Sequence, residues 1–155
     1  MTDKEFIDKH ILSNWVFSTH IPSPYGSEEF FGVTSTDGSL SFAINKFIAF
    51  IKEIYGEWYC ETEGKYLSEI INEWFENKKS KALKDINNEL INLNVILGPR
   101  SWQCVDEHGD IFFWKKLVLK FKDQYDKNLI KIIYHKWFEN KVLEVSEKMM
   151  NEPWS

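Results

Sequence analysis

Asp106, Glu107, His108 and Asp110 fall within five consecutive positions around Gly109, the densest gathering of acid–base and ligand-type side chains in this 155-residue chain. Carboxylates carried on one turn can converge on a hard cation or on a basic surface. As a metal centre the group is short of donors, because zinc takes three or four N, S or O ligands and no second histidine stands at metal spacing. The cluster therefore reads as a solvated turn available to a partner, with no metal and no cofactor expected. A small metal-dependent hydrolase built on residues 106–110 is the competing reading.

A nucleophilic site would pair Cys60 or Cys104 with His10, His20, His108 or His135, and no spacing in the sequence brings any such pair together. Histidines 10, 20 and 135 are instead expected at the edge of the core. Gly26, Gly32, Gly38, Gly56, Gly64, Gly98 and Gly109 are scattered singly, which excludes a phosphate-binding P-loop or dinucleotide turn. Catalysis is not the expected role. The two cysteines lie outside any redox or metal motif, and the amino terminus has neither a basic n-region nor an apolar h-region. Both thiols are expected to be free in a cytoplasmic protein. The most apolar stretch, residues 40–55, is too short and too charged for a membrane span.

Charge narrows the partner classes. The chain carries 19 basic and 24 acidic residues, net −5, and residues 1–110 alone carry 10 basic against 18 acidic groups. Direct nucleic-acid binding rests on Lys and Arg and is disfavoured. The run Lys115, Lys116, Lys120, Lys122, Lys127 and Lys131 lacks an arginine for bidentate phosphate contact. The acidic excess suits a basic protein partner, drawn in by long-range attraction and held by apolar anchors. Aromatics are abundant, with 7 Trp, 6 Tyr and 12 Phe. Tyr25, Glu28, Glu29 and Trp102 accordingly join Asp106, Glu107, His108 and Asp110 as the candidate partner-binding surface.

These residues need elements to hold them. Phe6, Ile7 and Ile11 mark a short helix over residues 4–12, and Trp15, Phe17 and Thr19 alternate as a strand that pairs with a second over 30–34. Asp37 or Ser39 is expected to cap a central helix running from Leu40 to Tyr55 and closed by Gly56. Thr62 is expected to start a second helix, with apolar pairs Tyr66/Leu67, Ile70/Ile71 and Trp74/Phe75, and Ser80 a third, ended by Gly98-Pro99. Residues 102–105 and 111–114 read as a hairpin about the 106–110 turn, its second strand prolonged through Leu117, Leu119 and Phe121. The last helix spans about 128–150.

Trp74-Phe75-Glu76-Asn77-Lys78 recurs letter for letter at residues 137–141, an offset of 63, and the preceding apolar pairs coincide as well. The likeness stops at this one helix, so a repeat architecture does not follow. Trp74 and Trp137 are expected in the core. The expected fold is α+β: residues 1–155 as a single helix-rich domain with a small antiparallel sheet formed by two hairpins.

In overall character the chain resembles bacterial immunity proteins, which neutralise polymorphic toxins including those of contact-dependent growth inhibition. The resemblance lies in a short, acidic, aromatic-rich, Lys/Ile/Asn-rich sequence without catalytic motifs, and no family site is carried over onto particular residues. It implies an antitoxin-like, stoichiometric inhibitor, monomeric when free, that binds a cognate toxin, typically a basic nuclease domain. A generic interaction adaptor is the remaining alternative.

Overall fold

The structure, a computed structural model, describes residues 2–19, 31–106 and 113–151. It is a helix-rich α+β fold whose strands are all antiparallel, grouped in one three-stranded sheet and two hairpins. The chain divides into two compact units, residues 1–81 and 82–155.

Unit 1 opens with α1 (Asp3–Phe6), capped by the Thr2 hydroxyl, which accepts from Glu5 N at 3.2 Å. The helix continues as a π-helical turn over Ile7–Ile11 and a 3-10 turn over Leu12–Asn14. Ile7, Ile11 and Leu12 are buried, but His10 is exposed rather than set at the core edge. β1 (Trp15–Thr19) pairs with β2 (Phe31–Ser35) as expected, and β2 pairs on its other side with β3 (Ser41–Ala43).

β3 takes residues that helical periodicity had assigned to the central helix. The Asp37 carboxylate, expected as that helix's cap, closes the β2–β3 turn instead. It accepts from Ser39 N at 2.9 Å, Ser35 Oγ at 2.6 Å and Ser39 Oγ at 2.7 Å. α2 (Ile44–Tyr55) therefore starts after Ala43 without a side-chain cap, and buries Ile44, Phe47 and Ile51 on one stripe. Gly56, at φ +74°, ends it with its N–H on the Lys52 carbonyl at 2.8 Å.

Thr62 does not start a helix. Residues 61–64 form the turn of a small hairpin, β4 (Tyr59–Cys60) with β5 (Lys65–Tyr66), and α3 begins at Leu67. Nor does Ser80 start another, because α3 runs unbroken from Leu67 to Leu90. No Gly or Pro interrupts residues 65–97, and Lys78-Lys79-Ser80-Lys81-Ala82 is mostly strong helix former, so the last turn of one expected helix joins the first of the next. Leu67, Ile70, Ile71 and Phe75 belong to the core of unit 1. Around that core Trp15, Phe42, Phe47 and Phe50 pack ring on ring, and Phe17 meets Phe75 at 5.3 Å.

In unit 2 the later part of α3 buries Ala82, Ile86 and Leu90. β6 (Asn94–Leu97) and β7 (Trp102–Val105) follow as a hairpin turning at residues 98–101. β7 thus pairs backward with β6, and Gly98-Pro99 serves a hairpin rather than a helix end; the expected turn over 107–110 lies outside the described residues. Residues 113–121 are likewise no strand. They form α4, with Phe113, Leu117 and Phe121 buried at four-residue steps and Leu119 out in solvent. The segment satisfies both the two- and the four-residue period, and burial of one residue per turn wins over burial of alternate residues. α5 (Lys127–Asn151) closes the chain close to its expected bounds, burying Leu129, Ile130 and Ile133. No described helix is long and apolar enough to cross a membrane.

Candidate functional site

Of the expected partner-binding residues, Tyr25, Glu28, Glu29, Glu107, His108 and Asp110 lie outside the described residues. Trp102 is half-buried at the start of β7, opposite Leu97. Asp106 follows β7 with its side chain largely covered, and lines a groove of about 320 Å³ with Glu89, Asn92, Leu93, Phe113, Lys116, Leu117 and Lys120. Lys116 Nζ lies 3.7 Å from Asp106 Oδ2, and Lys120 is bonded to Glu89. Two lysines of the basic run are thereby turned onto carboxylates. The groove holds charge of both signs over an apolar floor. Among the described residues no group of three or more His, Cys, Asp or Glu is placed to hold a metal ion.

The thiols are free and buried. Burial pushes Cys60 up from its ordinary pKa, and the carboxylates of Asp3 and Glu63 push it further. Burial likewise raises Cys104, which shares a hydrogen bond with the Tyr134 phenol. Both stay protonated at neutral pH and are poor nucleophiles. His135 is exposed on α5.

Sequence reasoning missed a second surface, on unit 1. The β4–β5 hairpin alternates inward and outward as a strand pair must, so Cys60 is fully buried while Tyr59, beside it, is 47% exposed. Tyr66, opposite Tyr59 in register, is 45% exposed, and the two rings meet edge to face with centroids 5.0 Å apart. The turn depends on Gly64, whose φ of +66° admits few other residues and whose N–H reaches the Cys60 carbonyl at 2.8 Å. Leu67 N donates to the Trp58 carbonyl at 2.7 Å, joining the hairpin's entry to the start of α3.

Carboxylates crowd this hairpin. Between residues 53 and 73 six glutamates face one lysine, a net charge equal to that of the whole chain. Lys65 is already engaged by Glu73 at 2.5 Å, which raises its pKa. Lys52 bonds Glu57 at 2.7 Å and, with Ser68, holds that carboxyl below its usual range. Glu53, Glu61 and Glu63 are exposed, and their carboxylates make no hydrogen bond or ion pair among the described residues. Ile54 and Tyr55, at the end of α2, are exposed too. The surface therefore combines large apolar side chains with carboxylates of which three form no ion pair among the described residues.

The signal for it was present: Tyr59 and Tyr66 flank Glu61-Thr62-Glu63-Gly64, a turn ending in glycine between two tyrosines. Tyr66 was hidden by its fit to the Leu67 helical stripe. In comparison with protein-family models, with curated proteins and with solved structures, the chain matches none.

Proposed function

We propose that this protein acts by binding, as an immunity-type stoichiometric inhibitor of a basic bacterial toxin domain, of which a nuclease is the expected kind. The observation that carries the reading is the acidic–aromatic surface about the β4–β5 hairpin, where two exposed tyrosines stand among glutamates without internal partners. Rigid rings offer contact area at little entropic cost, and uncompensated carboxylates speed the approach of a basic partner. Such a partner, a nuclease cleft being one example, has its own lysines and arginines to present.

The test starts from the reading frame beside this gene. Its carboxy-terminal domain, produced alone, is expected to arrest growth, and this protein is expected to relieve the arrest and to co-purify at one to one. Charge reversal of Glu53, Glu61 and Glu63 to Lys is expected to slow association at low salt and to flatten its salt dependence, with little change in folding. Unchanged association in that triple variant, with loss on reversal of Asp106, Glu107 and Asp110, moves the contact to unit 2. Absence of any complex removes the inhibitor reading.

A further inference from the structure

The β4–β5 surface is built to read one kind of cation. We infer that Tyr59 and Tyr66, with Glu61 and Glu63, form a docking surface selective for arginine side chains of a partner protein over lysine. The inference rests on the binding role proposed above and specifies its chemistry.

Both tyrosine rings are about half exposed, and their edge-to-face contact across the hairpin holds them at a fixed angle of 71°. A guanidinium is planar and weakly hydrated, stacks on an aromatic face, and offers paired N–H donors to a carboxylate. An ammonium is a compact, strongly hydrated point charge and gains less from a half-exposed ring. Of the nearby lysines, Lys65 is held by Glu73 and Lys52 by Glu57, while Lys4, Lys78 and Lys81 line a groove with Glu63 and leave Glu61 to the tyrosine side. Glu61 and Glu63 lie in the turn that connects the two tyrosines, so rings and carboxylates occupy one six-residue loop and its flanks. The scaffold is firm, because Cys60 is anchored in the core beneath and the Leu67–Trp58 hydrogen bond closes the base.

The probes are two twelve-residue peptides of equal charge, one alternating Arg with Gly and Ser, the other with Lys at each Arg position. They are titrated into the full chain with backbone amide shifts as the readout. The arginine peptide is expected to move the amides of residues 57–67 and to bind about tenfold more tightly than the lysine peptide. The Tyr59→Leu/Tyr66→Leu variant keeps most of the apolar area and is expected to lose that preference. Tyr59→Phe/Tyr66→Phe keeps the π faces and is expected to retain it.

Equal affinity for the two peptides, unaltered in the leucine variant but weakened in Glu61→Gln/Glu63→Gln, overturns the arginine selectivity while leaving an acidic docking face in place. Shifts confined to residues outside 53–73 overturn both this inference and the choice of unit 1 as the contact. Failure of the arginine peptide to bind overturns it as well. The tyrosine positions are exposed, so loss of folding in the leucine variant is not expected, and the unchanged amide pattern of the free variant checks this.

Discussion

The two copies of Trp-Phe-Glu-Asn-Lys share five letters and each lies within a long helix, yet the two units use them differently. In α3 Phe75 is 1% exposed and meets Phe17, while Trp74 is only half-buried and lines a groove of about 290 Å³ with Lys4, Glu63, Ile70, Glu73, Asn77, Lys78 and Lys81. In α5 neither ring is deep. Trp137 and Phe138 are half-buried about Tyr134, at 6.2 Å and 5.9 Å, and no described residue beyond Ile133 is buried. The preceding turn explains the contrast. Ile71 of the first copy is replaced at the same offset by Tyr134, whose phenol bonds Cys104 and stays near the surface. A helical stripe thus tells which residues share a face, and the elements opposite decide how deep the face lies. The expectation that Trp74 and Trp137 are core residues was too strong for both.

The largest test of this contrast is Phe75→Ala, expected to cost about 3–5 kcal/mol as a fully buried aromatic is lost. Phe138→Ala is expected to cost about 1–2 kcal/mol, since its ring is already half in water. Equal costs in urea titration would erase the distinction between the copies. Next come Trp74→Ala and Trp137→Ala, each expected at about 1–2 kcal/mol, below the cost of Phe75→Ala.

The units also differ in the pH at which each weakens. Asp37 in unit 1 is held at a pKa of about 2, first by Ser35 and then by Ser39, against an ordinary 3.8. A carboxyl depressed in the folded state adds stability above 3.8 and loses it as pH falls toward 2, so Asp37→Asn should flatten the acid limb of the stability profile. In unit 2, burial and then the 2.7 Å bond to Asp85 raise Tyr125 to about 12. A phenol raised in the folded state contributes fully below pH 10 and loses that contribution as pH climbs from 10 toward 12. Tyr125→Phe should therefore flatten the alkaline limb, read by circular dichroism across the titration. The smallest effect is expected for Glu76→Ala and Glu139→Ala, exposed partners in the two copies, each within about 0.5 kcal/mol of wild type.

Much of the fold was legible where one period dominates. α2, α5 and the β1–β2 hairpin follow their apolar spacing, and the helix-rich α+β class follows from them. The errors cluster where two readings share the same letters. Leu117, Leu119 and Phe121 satisfy a strand, while Phe113, Leu117 and Phe121 satisfy the helix that forms. Asn94–Leu97 continues the apolar spacing of α3, but Ile91-Asn92-Leu93 turns the chain and Gly98-Pro99 lets it fold back as β6 and β7. The Tyr59–Tyr66 surface was masked for a related reason, since two-residue strands offer too few positions for alternation to outweigh the fit of Tyr66 to the helical stripe.

The π-helical turn at Ile7–Ile11 has a consequence for how this chain tolerates length changes. Such a turn accommodates one residue more than the α-helical path, and Ile7 and Ile11 at its two ends both face inward. Removing one of the exposed residues Asp8, Lys9 or His10 would let the turn close to α-helical winding and leave the residues on either side in phase. Phe6 would then keep its ring against Trp58, 5.7 Å away at the entry to the tyrosine hairpin. The turn is thus a place where this chain is expected to lose one residue without a compensating insertion elsewhere.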